Sequence, residues 1–469
     1  MPEVTIIDPM DPPAWWVAPS FHHCRRTPRA VVGDPGPRGG SVVPDSPDPA
    51  PDRPPAFAAP TRDRAAAPRV ARAVRGGAAP AGDRPRIVPP APAAQRAPGE
   101  STRACLLVEI LPDQSARLRA VGDLGEAPQG RIPALEATRL GLRTGDLLDA
   151  DLRADPGGQA SHVSTLHALN GEPRRSGKGR PPFAALTPVS PSRPIRLETT
   201  GAVLATRVLD LFIPVGFGQR GILLAPPRAG KTTLLKQIGA GIAANHPMAQ
   251  LILLLIGERP EEITELSEAL PTARVFAISY DDAGDRHVAL VNLAMEHAKR
   301  LAEQGRDAVV LLDSATRLVE AHHDSGGAIL SGGVNAEALA QARQLFGIAR
   351  ATREGGTITT LATVLRMPAN RGSDVVGEQL KSTSNLEIHL SADLAERRIW
   401  PAIDIVASGT RNEAALIGEV GLAVSDLVRR GIKGVPPFAQ AERYGQLLAA
   451  MKQHPDNAAY MREVRRHAG

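Results

Sequence analysis

Residues 200–435 alternate between short apolar runs and longer stretches with helical periodicity, and this alternation restricts the possible folds more than any other feature of the sequence. The apolar runs are 221–225, 251–256, 275–279, 308–313, 357–364 and 386–390. Stretches that favour helix lie between them, at 232–244, 261–270, 288–303 and 336–352. Runs that are apolar throughout are typical of parallel strands, because helices cover both faces of such a sheet. The sequence therefore predicts an α/β domain with a mostly parallel sheet.

The first apolar run leads into the segment Ala-Pro-Pro-Arg-Ala-Gly-Lys-Thr at 225–232, after which a helical stretch begins. A strand–loop–helix of this kind binds phosphate groups, because backbone N–H groups and the positive end of the helix dipole face the anion. Lys231 is the candidate contact to the outer phosphates, and Thr232 is the candidate ligand of Mg²⁺. Ala225 stands where the generic pattern has a glycine, so the pattern is missed by one residue.

Two acidic residues follow other apolar runs. Asp313 ends the run 308–313, and Glu258 comes two residues after the run 251–256. Because parallel strands present their carboxyl ends at one edge of the sheet, we expect both carboxylates beside the phosphate loop. Asp313 is then a candidate to hold Mg²⁺ through water, and Glu258 is a candidate to orient or deprotonate the attacking water.

The rest of the chain divides by composition. Residues 1–100 hold 22 of the 43 prolines, and we expect this segment to be disordered, because it cannot bury enough apolar surface to offset its ordering entropy. Short strands at 105–111 and 116–121, with another after the turn at 143–146, predict a small β-barrel over 101–170. We assign 171–199 to a connector, 200–455 to the α/β domain and 456–469 to a C-terminal tail.

The bulk composition restricts the location and partners of the chain. The net charge of +5 permits a nucleic-acid partner without demanding one. The two cysteines, Cys24 and Cys105, lie apart from any cluster with metal-binding spacing, so we expect a reducing compartment. The start of the chain lacks the pattern of a signal peptide, and the longest apolar run near the middle is far too short to span a bilayer. These features predict a cytoplasmic protein without a membrane segment.

Five motifs occur in a distinctive order, namely APPRAGKTTLL, LLIGERPEEITEL, VVLLDSATRL, SGGVNAEAL and AERRIWPAIDIVASGTR. Together they resemble the transcription termination factor Rho family, with similarity over about 100–455. The resemblance implies a homohexameric, RNA-dependent ATPase with a RecA-like motor domain behind an OB-fold RNA-binding domain. It also implies ATP and Mg²⁺ as cofactors, RNA–DNA helicase activity that terminates transcription, and single-stranded RNA, RNA polymerase and elongation factors as partners.

The resemblance also implies roles for individual positions. The nucleotide contacts would be Pro227, Arg228, Ala229, Gly230, Lys231, Thr232, Thr233 and Trp400, the last of which replaces an adenine-stacking aromatic residue. The metal contacts would be Thr232 and Asp313. The catalytic group would be Glu258 and Arg259, with Arg317 nearby and with Arg398 and Arg411 acting across a subunit interface. The RNA contacts of the central pore would be Gly332, Gly333, Val334, Arg371 and Lys381.

Two departures leave other functions open. Gly257 replaces the acidic residue that commonly precedes the catalytic glutamate in the family, which would slow turnover. Residues 58–182 contain no aromatic residue, so base stacking in the barrel is lost, although Arg117, Arg119, Arg131 and Arg139 could still hold phosphates. One alternative is therefore a divergent regulatory member of the family with slow ATP turnover. The other is a protein-directed ATPase of the F1 or secretion type.

Overall fold

The computed structural model describes residues 101–121, 129–154, 161–173, 179–279, 284–321, 329, 334–366 and 371–468. The segment 1–100, which we expect to be disordered, lies outside these residues. Among the described helices, none combines the length and apolar character that a membrane crossing requires.

An antiparallel sheet of five strands forms the first domain. Its elements are β1 (Ser101–Ile110), β2 (Ala116–Ala120), β3 (Gly130–Ile132), α1 (Ala134–Leu140), β4 (Leu147–Ala154) and β5 (Ser161–Leu169). The strand order is β3-β2-β1-β4-β5, and the edge strands β3 and β5 approach each other, so the sheet curls around its own core. Leu106, Leu118, Leu148 and Leu152 are fully buried inside it. The predicted OB-like barrel is confirmed as a half-barrel.

The turn at 143–146 joins this half-barrel to the connector. Asp146 is completely buried, and its two carboxylate oxygens accept hydrogen bonds from Arg180 at 2.6 and 2.8 Å. Asn170 donates a third hydrogen bond to the same carboxylate at 2.7 Å. A buried carboxylate of this kind is stable only while its partners remain in place. The connector is therefore tightly bound to the barrel.

The same turn touches the second domain through Gly145, whose φ is +88°. A Cβ at this position would lie 2.3 Å from a backbone atom of Glu296, so only glycine fits. The Nδ1–H of His297 donates to the carbonyl of Gly145 at 2.7 Å, and Arg274 donates to the other ring nitrogen. Burial, together with the neighbouring Arg274, lowers the pKa of His297 to about 3, so the imidazole is neutral and both hydrogen bonds can form.

The second domain is built on a sheet of seven strands. A small pair, β6 (Pro188–Val189) with β11 (Ala351–Thr352), lies apart from it. The large sheet contains β7 (Arg220–Ala225), β8 (Gln250–Glu258), β9 (Arg274–Ser279), β10 (Ala308–Asp313), β12 (Ile358–Leu365), β13 (Leu386–His389) and β14 (Gly409–Thr410). The strand order is β14-β13-β7-β12-β10-β8-β9, and all pairs are parallel except β13 with β14. The predicted α/β fold with a mostly parallel sheet is confirmed.

Helices cover the sheet. They are α2 (Leu204–Phe212), α3 (Lys231–Asn245), α4 (Pro260–Ala269), α5 (Gly284–Ala302), α6 (Ala315–Ala321), α7 (Ala336–Gly347), α8 (Arg371–Lys381), α9 (Ala392–Glu396), α10 (Ala414–Lys433), α11 (Pro437–Lys452) and α12 (Asn457–Ala468). Every residue of β10 is buried, which explains why its sequence is apolar up to the terminal aspartate. Leu290 and Leu339, from α5 and α7, pack in one core cluster with Val310 of β10.

Two segments differ from the sequence-based expectation. The helix predicted for 336–352 ends at Gly347, because the following chain turns back and its residues Ala351–Thr352 pair with β6 as a strand. The segment 456–469, expected to be a tail, holds α12, which buries Tyr460 and Val464 against the domain.

Candidate nucleotide-binding site

The phosphate loop connects β7 to α3. Gly230 lies directly before the helix with φ +88°, and Arg228 also has a positive φ of 62°. A Cβ on Gly230 would lie 3.1 Å from Cζ3 of Trp400, so the indole packs directly on the loop. The first turn of α3 begins at this loop, and the backbone N–H groups of a first helical turn can bind an anion.

Lys231, the first residue of α3, contacts both predicted acidic residues. Its Nζ donates to Oδ1 of Asp313 at 2.6 Å and to Oε1 of Glu258 at 3.3 Å. These carboxylates meet because β8 and β10 are adjacent parallel strands that end at the same edge. Burial alone would lower the pKa of Lys231, but the two carboxylates outweigh it and raise the pKa, so the ammonium is charged.

Glu258 is carried on an irregularity of β8. The register against β9 shifts between Ile256 and Glu258, at Gly257, which has a φ of 61°. The Glu258 side chain is buried, with only its shared contact to Lys231 and a more distant approach of Arg317 Nε at 3.8 Å. Burial raises the pKa of Glu258, and the charge of Asp313 raises it further. A carboxylate with a raised pKa suits the acceptance of a proton from water.

Asp313 has room for one more partner. Its Oδ1 accepts hydrogen bonds from Lys231 and, at 2.6 Å, from the hydroxyl of Thr363 on the neighbouring β12. Its Oδ2 is buried and has no hydrogen-bond partner among the residues that the structure describes. Within the described residues, no cluster of three or more His, Cys, Asp or Glu could hold a metal alone. A magnesium ion held by the Thr232 hydroxyl, by water on Asp313 and by nucleotide phosphates fits this arrangement.

A cavity of about 880 Å³ lies beside Lys231 and Glu258. It is lined by the whole predicted nucleotide loop, Pro227, Arg228, Ala229, Gly230, Lys231, Thr232 and Thr233, and by Glu258, Arg259, Arg317 and Trp400. Trp400 is 43% exposed and lines the cavity, so part of its indole is available for stacking. Positive charge, loop N–H groups and an aromatic surface in one cavity match the parts of a nucleotide.

Comparison with known proteins identifies the family. The model of the ATP synthase alpha/beta family, nucleotide-binding domain, matches residues 205–410. Transcription termination factor Rho of Streptomyces coelicolor is 42% identical over 344 residues, which are 72% of this chain and 80% of that protein. The Rho of Streptosporangium roseum is 39% identical over 386 residues, which are 81% of this chain and 97% of that protein. The chain belongs to the transcription termination factor Rho family.

A solved structure supports the fold. An ATPase from the type III secretion system of pathogenic bacteria superimposes with a TM-score of 0.52 and 21% identity, over 66% of this chain and 92% of that chain. At this identity the likeness shows the fold alone, and it confirms the RecA-like ATPase architecture. Membership of the Rho family and the nucleotide-binding domain together make the chain an ATP-binding ATPase.

The two arginines expected to act between subunits lie outside the cavity. Arg398 is exposed and has a positive φ of 59°, and Arg411 is exposed on the loop after β14. The backbone N–H of Arg411 donates to the carbonyl of Asn385 at 2.8 Å, which fixes this loop to the sheet edge. Neither side chain lines the cavity of its own chain, so a role in hydrolysis requires a neighbouring subunit.

The predicted RNA-contacting residues are only partly described. Gly332 and Gly333 lie outside the described residues, and Val334 is buried in the core. Arg371 is the first residue of α8. Lys381 is the last residue of the same helix, and its ammonium lies 3.3 Å from Glu378 and 3.8 Å from Glu387. The assignment of these positions to RNA remains a prediction.

Several cavity or support residues were missed from the sequence, among them Thr363, Gln237 and Lys452. Thr363 gives no distinct signal, because β12 also contains Thr359 and Thr360 and only the pairing with β10 brings Thr363 to Asp313. Gln237 lies one helical turn after Thr233 and so shares its face of α3. Lys452 gives no sequence signal, because only the packing of α11 brings it to the cavity.

Proposed function

We propose that the chain is an RNA-dependent ATPase and translocase that unwinds RNA–DNA hybrids and terminates transcription as a homohexamer. The observation that carries this proposal is the contact of Lys231 with both Glu258 and Asp313 at the mouth of the phosphate loop. The names of the relatives support the biological process. RNA polymerase and its elongation factors are the proposed protein partners.

Nucleotide binding would redistribute the charges of the site. The ammonium of Lys231 would exchange its contacts with the two carboxylates for the outer phosphates. Thr232 and Asp313 would hold Mg²⁺, which neutralises phosphate charge during transfer. Glu258, released from Lys231, would accept a hydrogen bond and then a proton from the attacking water. Its raised pKa is consistent with this role.

The arginines complete the proposed reaction. Arg259 and Arg317 line the cavity and would stabilise charge from the same subunit. Arg411 and Arg398 would reach the nucleotide of the adjacent subunit, and their exposure is compatible with that. An arginine supplied from a neighbour makes hydrolysis depend on ring assembly.

Strand movement would depend on the central pore. The segment with Gly332, Gly333 and Val334, together with Arg371 and Lys381, would contact single-stranded RNA there. The half-barrel would be a weak RNA site, because it lacks aromatic residues for stacking and several of its arginines are already paired with acidic residues. Arg119 lies 2.7 Å from Glu109, and Arg131 lies 2.7 Å from Asp113.

The alternative of a regulatory family member with slow turnover is favoured by two observations. Gly257 supplies no carboxylate beside Glu258, and the basic residues of the half-barrel are paired internally. This alternative keeps the ATP site and differs in rate and in the means of capturing RNA.

An RNA-titrated ATPase assay tests the proposal. We expect single-stranded RNA, with cytidine-rich RNA tried first, to raise the steady-state rate several-fold, because pore contacts would align the subunits. Duplex DNA of equal length is the control. Intact basal hydrolysis without any response to RNA would contradict the translocase function and favour a protein-directed ATPase. A response to RNA with a slow maximal rate would support the regulatory alternative.

A further inference from the structure

The nucleotide cavity extends beyond the residues that the family comparison predicts. Its wall beyond the phosphate loop is formed by Ala202, Leu204 and Ala205, at the start of α2, and by Lys452, the last residue of α11. Lys452 lies outside the segment 205–410 that matches the nucleotide-binding domain. The C-terminal helices therefore supply part of the cavity surface.

This wall is held together by a buried guanidinium. Arg207 of α2 is completely buried and donates to the carbonyl of Met451 at 2.8 Å and to the carbonyl of His454 at 3.0 Å. These two carbonyls flank Lys452 in the sequence. Arg207 also donates to the side chain of Asn457 at 3.1 Å. The backbone that carries Lys452 is thus fixed to α2, and its exposed side chain extends from this anchored point at the cavity wall.

The aromatic residue expected to stack on the base, Trp400, lines the same cavity. Trp400 offers its free face here, and the hydroxyl of Tyr444 on α11 donates to the carbonyl of Pro401 at 2.9 Å. Lys452 and Trp400 therefore reach the cavity on elements that are bonded to each other. Gln237 lies six residues after Lys231 on α3, about 9 Å along the helix, and lines the same cavity. A nucleotide with its phosphates at Lys231 would direct its base and ribose toward this region.

We propose that Lys452 binds the nucleoside part of the nucleotide, donating a hydrogen bond to an acceptor atom of the base or the ribose. Lysine has three donors and no acceptor, so it can satisfy ring nitrogens or hydroxyl oxygens. This inference rests on the proposed function, because it requires the cavity to bind ATP. The alternative role is a solvated lysine at a helix C-terminus, where it interacts only with the helix dipole.

The chain offers a matched control for this distinction. Lys433 is the exposed last residue of α10, so it has the same relation to a helix dipole as Lys452. It lies beside Arg429 and Arg430 at a different hollow of the surface. Replacing either lysine by methionine keeps an unbranched side chain of nearly the same length and removes its charge and its donors.

The experiment is a calorimetric titration of the full chain with ADP, without RNA, followed by steady-state hydrolysis of ATP. We expect Lys452→Met to raise the Kd about tenfold, the effect of losing one charged hydrogen bond. The KM for ATP should rise in parallel while kcat is retained, because the contact is the same in the ground and transition states. Lys433→Met should leave both constants unchanged, and Lys452→Arg should restore most of the affinity.

Titration with 2′-deoxy-ADP separates the two acceptors. A ribose contact predicts that the deoxynucleotide binds weakly to the wild type and that Lys452→Met adds little further loss. A base contact predicts the same loss in Lys452→Met with either sugar. Either result supports the proposal. A Kd within twofold of the wild type in Lys452→Met, or an equal rise in Lys433→Met, would overturn it. Failure of the wild type to bind ADP would instead overturn the nucleotide site itself.

Discussion

Replacing Glu258 by glutamine should abolish hydrolysis and, at the same time, stabilise the nucleotide-free protein. The neutral amide keeps the shape of the side chain and can still accept a hydrogen bond from Lys231. It removes one of two carboxylates that share a single ammonium. Loss of the base should lower kcat about 10²- to 10⁴-fold, while ATP binding persists.

The stabilisation follows from the charges of the site. Lys231 Nζ lies 3.3 Å from Glu258 and 2.6 Å from Asp313, so the two acceptor oxygens are at most about 5.9 Å apart. At an effective dielectric constant near 20, the attraction to Lys231 is about 5 kcal/mol and the repulsion from Asp313 is about 3 kcal/mol. Burial of the carboxylate costs several kcal/mol more. The raised pKa of Glu258 shows that the unfavourable contributions exceed the attraction. The balance of these charge and burial contributions is a net cost on the order of 1 kcal/mol.

The sign of the pH dependence is fixed by the same pKa. The pKa of Glu258 is higher in the folded chain than its usual value of 4.5. Ionisation of this carboxyl therefore lowers the free energy of unfolding as the pH rises above 4.5, and the loss is complete above the pKa of the folded chain. Glu258→Gln should therefore gain most at pH 8, with a Tm about 2–4 °C above the wild type. The gain should shrink as the pH falls toward 4.5, where the wild-type carboxyl is protonated.

Thermal unfolding without nucleotide, followed at pH 8, 6.5 and 5, measures this effect. The control is Glu261→Gln, which removes an exposed acidic residue from the first turn of α4 and should lower stability slightly, since the helix dipole favours that charge. An unchanged or lower Tm for Glu258→Gln at pH 8 would refute the reasoning. A gain that does not depend on pH would do the same.

Two other variants test neighbouring parts of the site. Arg411→Ala should lower ATP hydrolysis by about 10³-fold or more with an unchanged Kd for ATP. Hydrolysis should be partly restored in rings mixed with Glu258→Gln subunits, because each variant keeps the residue that the other lacks. A parallel loss of ATP binding in Arg411→Ala would argue against action between subunits. Gly230→Ala should lower the free energy of unfolding by about 1 kcal/mol or more and weaken ATP binding, because φ is +88° and the new methyl group would push against Trp400. If calorimetric titration and thermal unfolding of this variant both matched the wild type, the close packing of Trp400 on Gly230 would be contradicted.

Most of the large sheet could be predicted, because the parallel strands are short, mostly apolar runs that alternate with stretches of helical periodicity. The meeting of Lys231, Glu258 and Asp313 could also be predicted, since it depends only on adjacent strands ending at one edge. The two-residue pair of β6 with β11 has no periodicity to detect. Helix α12 is mostly polar, and the residues that bury it, Tyr460 and Val464, form too narrow a stripe to distinguish it from a tail.

The cavity wall could be predicted only in part. The motif of the phosphate loop predicts its own residues, because the local backbone creates the anion site. Lys452 depends on a contact between segments about 250 residues apart, made by Arg207 with Met451 and His454. Such a contact leaves no local pattern, because a buried arginine in an amphipathic helix looks like any exposed one in sequence.

The packing of Gly145 on α5 has a mechanical consequence. With no side chain between the turn and the helix, the contact has little room to slide, and the hydrogen bond from His297 resists separation. Helix α5 in turn packs against β8, β9 and β10, two of which carry Glu258 and Asp313. We expect tension applied to the half-barrel to reach, through this contact, the strands that end at the nucleotide cavity.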